Sequence, residues 1–148
     1  MANTLRVNFS KDQAIPFIAI RARLHLTATE VDCIDRYVAF AIDRLAGNLV
    51  EVWLFGSAAR GDMWPAHSPM RSDVDLLIVT RVPVDPTLID ELVNATYPLF
   101  LEAGRQISPQ FWTAERFAAP DSDRARSVAE RVRAEGLVLY RVATPSSP

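Results

Sequence analysis

The chain has 148 residues, 49% of them hydrophobic, which is ample for one hydrophobic core and too few for two ordinary domains. Its formal net charge of -2 lacks the strong basic excess that binding to long nucleic acid leaves on a composition, so a small or proteinaceous substrate is favoured. The single cysteine, Cys33, cannot form an internal disulfide, and no uninterrupted apolar stretch is long enough for a signal peptide or a membrane span; a cytoplasmic protein that does not meet a membrane is expected.

Residues 1–27 read as an N-terminal extension. Its apolar content (Ile15, Phe17, Ile18, Ile20, Leu24, Leu26) is too high for a free tail, so the segment is expected to pack on its own domain, or on a second copy or another protein. His25 lies in that stretch without partner residues. Thr27-Ala-Thr-Glu30 then reads as a capping box opening a helix, with Val31, Ile34, Val38, Ala41, Ile42 and Leu45 on one face and Gly47 as its stop. That helix is expected to be core. Leu49 to Phe55 is an apolar run of strand length, followed by a Gly56-Ser57 turn and a short helix to about Asp62.

The stretch from Met63 to Arg71 reads as a proline-stiffened loop in which Trp64 either anchors a base or a partner surface or folds back to cover the sheet edge. His67 has no second histidine or cysteine at metal-ligand spacing. Val74 to Thr80 is nearly continuously apolar beyond Asp75, which predicts a central strand. Asp85 caps a helix with Pro86 at its first position; it runs through Leu88, Ile89, Leu92, Val93 and Thr96, is kinked or ended near Pro98, and is closed by Gly104. Gln106 to Thr113 is a strand containing Pro109, which cannot donate a ladder hydrogen bond, so an edge position or a bulge is expected. A last helix spans about Ser122 to Glu135 with Ala125, Val128, Ala129 and Val132 inward. Gly136 leads into a strand, Leu137 to Arg141, and residues 143–148 form a frayed tail. The domain is thus residues 28–142, of α+β class, with a small mixed sheet packed against helices.

The chemistry concentrates at two strand ends. A glycine-serine turn at the tip of a strand offers backbone amides and a hydroxyl to a polyphosphate, since a residue without a side chain lets the main chain approach closely. Asp73 and Asp75 stand at i and i+2 where the second apolar run begins, so in a strand they project to the same face, about 7 Å apart along the chain. Hard divalent cations take such oxygen ligands. Magnesium needs only one or two protein carboxylates when phosphate oxygens and water complete its shell.

The string Gly56-Ser57-Ala-Ala-Arg60-Gly61-Asp62, followed by Ser72-Asp73-Val-Asp75-Leu76, resembles the signature of the DNA polymerase beta-like nucleotidyltransferase superfamily, most closely the small, single-domain minimal nucleotidyltransferases. The resemblance covers roughly residues 28 to 141. It implies the nucleotidyltransferase fold, with Gly56, Ser57 and Arg60 binding the nucleotide, and Asp73 and Asp75 as catalytic residues holding Mg2+ for ATP or another NTP. Arg60 could equally pair with Asp62 or Asp73. Two departures from the pattern stand out. The connection from Gly56-Ser57 to Asp73 is longer than the common one of about ten residues. Ser108 or Gln110 stands where the third carboxylate, a general base or further metal ligand, is expected. Glu102 and Glu115 flank that stretch as candidate substitutes.

Two functions are compatible with these residues. One is a Mg-dependent nucleotidyltransferase moving an NMP, AMP for preference, from an NTP to a hydroxyl acceptor; the resemblance implies that this acceptor lies on a partner toxin, in the manner of an antitoxin. The other is a nucleotide-binding or partner-binding antitoxin module impaired in catalysis. RNA end modification would call for a basic groove, which the charge balance does not favour.

Overall fold

The computed structural model describes residues 26–60 and 73–142, apart from the side chains of Ala58 and Arg60. Within them the chain runs α1 (Ala28–Leu45), a 3-10 turn (Ala46–Asn48), β1 (Leu49–Phe55), α2 (Ser57–Arg60), β2 (Val74–Thr80), α3 (Pro86–Asn94), α4 (Thr96–Ala103), β3 (Ile107–Thr113), α5 (Ala114–Ala118), α6 (Asp123–Glu135) and β4 (Leu137–Arg141). The extension up to His25, the loop with Trp64 and His67, and the tail from residue 143 lie outside the described residues. No helix among those described is long and apolar enough to cross a membrane.

The four strands order β3-β2-β1-β4. β1 pairs antiparallel with β2 and with β4, while β2 and β3 are parallel, so the sheet is mixed and the class is α+β, as expected. A parallel neighbour needs a crossover, and α3 with α4 supplies it. β2 is central and its apolar run is buried from Leu76 to Val79. Pro109 sits on the edge strand β3, which keeps an unbroken register with β2; the edge position alone accommodates the missing N–H, and no bulge is needed there.

Alternation along the strands sorts the core into two faces. Val52, Leu54, Val74, Leu76, Ile78 and Ile107 pack with α1, α3 and α4. Phe55, Leu77, Val79 and Trp112 pack on the other face with Phe117, Ala125, Ala129 and Val132 from α5 and α6. Trp112 and Phe117 meet edge-on at 6.4 Å between centroids.

The helix ends follow their capping residues. Thr27 accepts from the Glu30 amide at 3.1 Å, and Glu30 accepts from the Thr27 amide at 2.9 Å, a reciprocal capping box. The stop comes at Ala46, which takes a positive φ of 47°, one residue ahead of Gly47. Asp85 caps α3 with Pro86 in its first turn, and Gly104 closes α4 in the left-handed conformation. The break between α3 and α4 falls at Ala95, because Pro98 has no N–H for the carbonyl of Asn94 and its ring crowds that same carbonyl. Ser122 caps α6 by accepting from Ala125, and Thr113 caps α5, a short helix that periodicity does not announce.

α1 lies antiparallel against α4 and α3, with polar contacts at successive levels. Tyr37 donates to the Leu92 carbonyl at 2.9 Å, Arg36 pairs with Glu102, and Arg44 grips Glu91 with two donors. The deepest contact is an ion pair: Arg105 Nε donates to Glu30 Oε2 at 2.9 Å, with both side chains about 95% buried. Glu30 therefore caps α1 with one oxygen and anchors the start of β3 with the other. Burial pushes the nearby Cys33 thiol up from its ordinary pKa.

Removing one partner of a buried pair strands a charge. Arg105→Met should cost about 3–5 kcal/mol in denaturant unfolding, and the double change Glu30→Met/Arg105→Met should recover most of that loss. Equal stabilities of the single variant and the native chain would show that the pair is not bearing on the fold.

Candidate functional site

β1 ends at Phe55, and the next residue, Gly56, has φ +75°, a conformation that side-chain-bearing residues rarely adopt. Its carbonyl accepts from the Ala59 amide at 3.1 Å, closing the turn into α2. A side chain is excluded for a second reason. A Cβ built on Gly56 would collide with Asp75 Oδ2 and stand 3.3 Å from its Cγ. The register explains this: Phe55 pairs with Asp75 across the antiparallel β1–β2 ladder, so the backbone leaving β1 passes directly over the Asp75 carboxyl group. Ser57, half-buried, is the first residue of α2.

Asp73 immediately precedes β2 and is exposed, whereas Asp75 is half-buried under the turn. Being two residues apart in extended chain, they share a face of the sheet. The start of β2 is pinned by the Val74 amide, which donates to the Gln106 carbonyl at 2.8 Å. From the neighbouring strand Ser108 donates its hydroxyl to Asp73 Oδ2 at 2.9 Å, and it lies in parallel register with Asp75. Ser108 is thus the residue of β3 beside the acidic pair. Its hydroxyl orients a carboxylate where a carboxylate of its own was expected.

The other candidates fall elsewhere. Gln110 pairs in register with Leu77, one step further along β3 and away from the pair. Glu102 is engaged on α4 by Arg36, whose hydrogen bond holds its carboxyl below the usual carboxylate range. Glu115 is exposed beyond Thr113, at the opposite end of β3 from Ser108. Neither glutamate takes the place of the third acid. Arg60 ends α2, and its side chain lies outside what is described.

Among the described residues no group of three or more His, Cys, Asp or Glu gathers as a metal site. The donors gathered at the β2 start are two carboxylates and a hydroxyl, all hard oxygen. That set suits a cation that keeps water and phosphate in its shell, and does not resemble the nitrogen and sulfur cages favoured by zinc. Hollows among the described residues at the far end of the sheet include one of about 200 Å³ bounded by Thr80, Val84, Phe111 and Arg116, and one of about 380 Å³ bounded by Glu51, Trp53, Phe117 and Arg133.

A family model described as "Nucleotidyltransferase domain" matches residues 37–134, which hold the Gly56 turn, both aspartates and Ser108. No curated protein matches the chain at a significant level. Among solved structures the chain is similar to a toxin-antitoxin with AMP-PNP, at 15% identity and a TM-score of 0.49 over 72% of this chain and 73% of that one. It is also similar to two mutant forms of the toxin-antitoxin MntA-HpeT. One shares 14% identity at a TM-score of 0.47, over 72% of this chain and 73% of that one. The other shares 17% identity at a TM-score of 0.46, over 73% and 72% respectively.

The two glycines of the β1 region make a matched test. Gly56→Ala meets both the positive φ and the Asp75 carboxylate, and should lower unfolding stability by about 1–3 kcal/mol. Gly47→Ala, with nothing within 4 Å of the new methyl, should change it by less than ~1 kcal/mol. Denaturant titration of the two variants decides it; equal effects would contradict the close approach of Gly56 to Asp75.

Proposed function

Because the chain belongs to the nucleotidyltransferase domain family, we propose that it transfers a nucleoside monophosphate, AMP for preference, from an NTP to a hydroxyl acceptor. The observation that carries this reading is the contact between the Gly56 backbone and the Asp75 carboxyl group, with Asp73 on the same face. A phosphate-binding turn and a metal-binding carboxylate belong together chemically, since a hard divalent cation held by the carboxylates would offset the charge of a polyphosphate on the turn.

Asp73 and Asp75 would hold magnesium, whose preference for a few carboxylates plus water fits their oxygen set. When bound, the ion neutralises phosphate charge and stabilises the attacking and leaving oxygens of an in-line displacement. The chain's own residues do the rest. Gly56 allows the backbone to approach the polyphosphate, Ser57 offers a hydroxyl beside it, and Arg60 is assigned a phosphate contact. The acceptor oxygen forms its bond to the α-phosphorus as the bond to pyrophosphate breaks. Ser108 orients Asp73 through its hydrogen bond but is a poor base, so the acceptor's proton passes to water or to a group on the acceptor itself.

The acceptor we assign is a hydroxyl on a partner protein, a toxin neutralised by the modification. This follows from the likeness of the Gly56–Asp75 motif to the minimal nucleotidyltransferases. One observation favours a second reading: Ser108 occupies the place beside the aspartates where a base is expected. On that reading the site binds NTP and the protein acts by occlusion.

The two readings separate in one experiment. The protein is incubated with α-labelled ATP, Mg2+ and a candidate partner, and melted with and without Mg-ATP. On the enzyme reading label appears on the acceptor, is abolished by Asp73→Asn and by Asp75→Asn, and falls ~10–100-fold with Ser108→Ala, the range for losing a group that orients a metal ligand. Nucleotide-dependent stabilisation without label transfer supports the binding module. Label transfer undiminished in both aspartate variants would overturn the site assignment.

A further inference from the structure

On the α5–α6 face of the sheet, the hollow of about 380 Å³ has the size and make-up of a small-molecule site. Such sites run from about 300 to 1,000 Å³ and set a few convergent polar groups on an apolar lining. Here Val79 and Ala114 supply apolar lining, and Trp53 and Phe117, whose rings meet edge-on at 6.0 Å between centroids, supply an aromatic wall. The polar groups are Glu51, Arg133 and Arg141.

A surface arginine is ordinarily a swinging cation, but these two are held. Arg133 donates from one terminal nitrogen to the Phe117 carbonyl at 3.1 Å, and its guanidinium carbon stands 3.9 Å from the centroid of the Phe117 ring. Arg141 Nε donates to Glu51 Oε2 at 2.7 Å, with the guanidinium 5.7 Å over the Trp53 ring. Glu51 is fixed in turn, since the Trp53 indole N–H donates to its other oxygen at 2.9 Å. Each arginine is thus anchored through one nitrogen. Among the described residues, Nε and Nη2 of Arg133 and both terminal nitrogens of Arg141 have no hydrogen-bond partner. Both oxygens of Glu51 are engaged, and two guanidiniums against one carboxylate leave the hollow with an excess positive charge.

Two anchored guanidiniums with open donors form a receptor for an oxyanion, because the ordering of the side chains has already been met within the fold. They come from different elements, α6 and β4, so a tetrahedral dianion can accept from both, whereas a flat carboxylate is filled by a single fork. The apolar and aromatic lining fits a planar body attached to that anion. We propose that this hollow binds a phosphate monoester with a flat ring, its phosphate between Arg133 and Arg141 and its ring against Val79 and Trp53. The site is separate from the acidic pair. Glu51 stands four residues before Phe55, the residue opposite Asp75, so about 13 Å of strand lies between them. Binding here needs no divalent cation.

Phenyl phosphate is the probe. It is titrated into the full chain without Mg2+ and followed by NMR through the Trp53 indole N–H, a resonance identified by its loss in Trp53→Phe. The proposal predicts a saturable shift, with affinity at least about tenfold weaker in Arg141→Gln and in Arg133→Gln, the effect of losing hydrogen bonds to a charged group. Inorganic phosphate, which lacks the ring, should bind at least about tenfold more weakly than phenyl phosphate. Arg133→Gln also gives up the bond to Phe117; Arg141 is exposed at the end of β4, so Arg141→Gln carries the test if the other variant does not fold. Absence of a saturable shift, or equal affinity in the native chain and Arg141→Gln, would overturn the proposal. Inorganic phosphate binding as tightly as phenyl phosphate would overturn the assignment of the ring. Asp75→Asn should bind the probe as the native chain does; loss of binding there would place the probe at the Gly56 turn and overturn the second site. None of these outcomes bears on label transfer, so failure here leaves the transferase reading untouched.

Discussion

Everything in this site turns on one close contact: the main chain leaving β1 at Gly56 crosses over the carboxyl group of Asp75 with no space for a Cβ between them. The contact is set by a register, Phe55 opposite Asp75, and the register is held by the apolar faces of β1 and β2. A slip of one residue would carry Leu76 and Ile78 from the face packed by α1, α3 and α4 to the one packed by α5 and α6, and the aspartates across the sheet with them, so the fit of each β2 side chain to its own layer fixes the geometry of the acids. The fold's stability and the placing of its charged site are therefore the same fact seen from two sides.

Holding that register has required supports at the sheet's acidic end. The Val74 amide is bonded to Gln106, Ser108 is bonded to Asp73, and Arg105, next to Gln106, is locked to Glu30 inside the core. A chain of contacts thus runs from the first turn of α1, through the start of β3, to the carboxylate pair. Desolvating Arg105 and Glu30 makes this a poor source of net stability and a strong source of uniqueness: only the paired arrangement leaves neither charge stranded. Ser108 converts that anchoring into an orientation of Asp73.

Much of this was legible beforehand. β1 and β2 are apolar runs broken only by Glu51, Asp75 and the terminal Thr80, and their bounds are readable to the residue; Thr27 with Glu30, Asp85 with Pro86, Ser122, and Gly104 mark helix ends by local chemistry that acts within four residues. The glycine-serine turn and the paired aspartates were legible because each is a short-range pattern. What escaped was long-range. Glu30 reads locally as a capping residue, and nothing near it announces Arg105, 75 residues away. The short helix α5 has only one buried side chain, Phe117, and so no period to detect. The helix break precedes Pro98 because the proline's effect falls on the carbonyl four residues earlier. In the sequence Ser108 reads only as the absence of an acid; its hydrogen bond to Asp73 depends on which strand lies beside β2, which no local pattern contains.

The central claim is that Asp73 and Asp75 jointly hold a divalent cation against phosphates seated on the Gly56 turn. The most direct measurement is a crystal structure of the chain with Mn2+ and a non-hydrolysable NTP analogue, read by the anomalous signal of the metal. The account predicts a manganese peak about 2.1–2.3 Å from oxygens of both carboxylates, with the triphosphate against residues 56 and 57. Manganese bound elsewhere, with the nucleotide seated away from the turn, would contradict it.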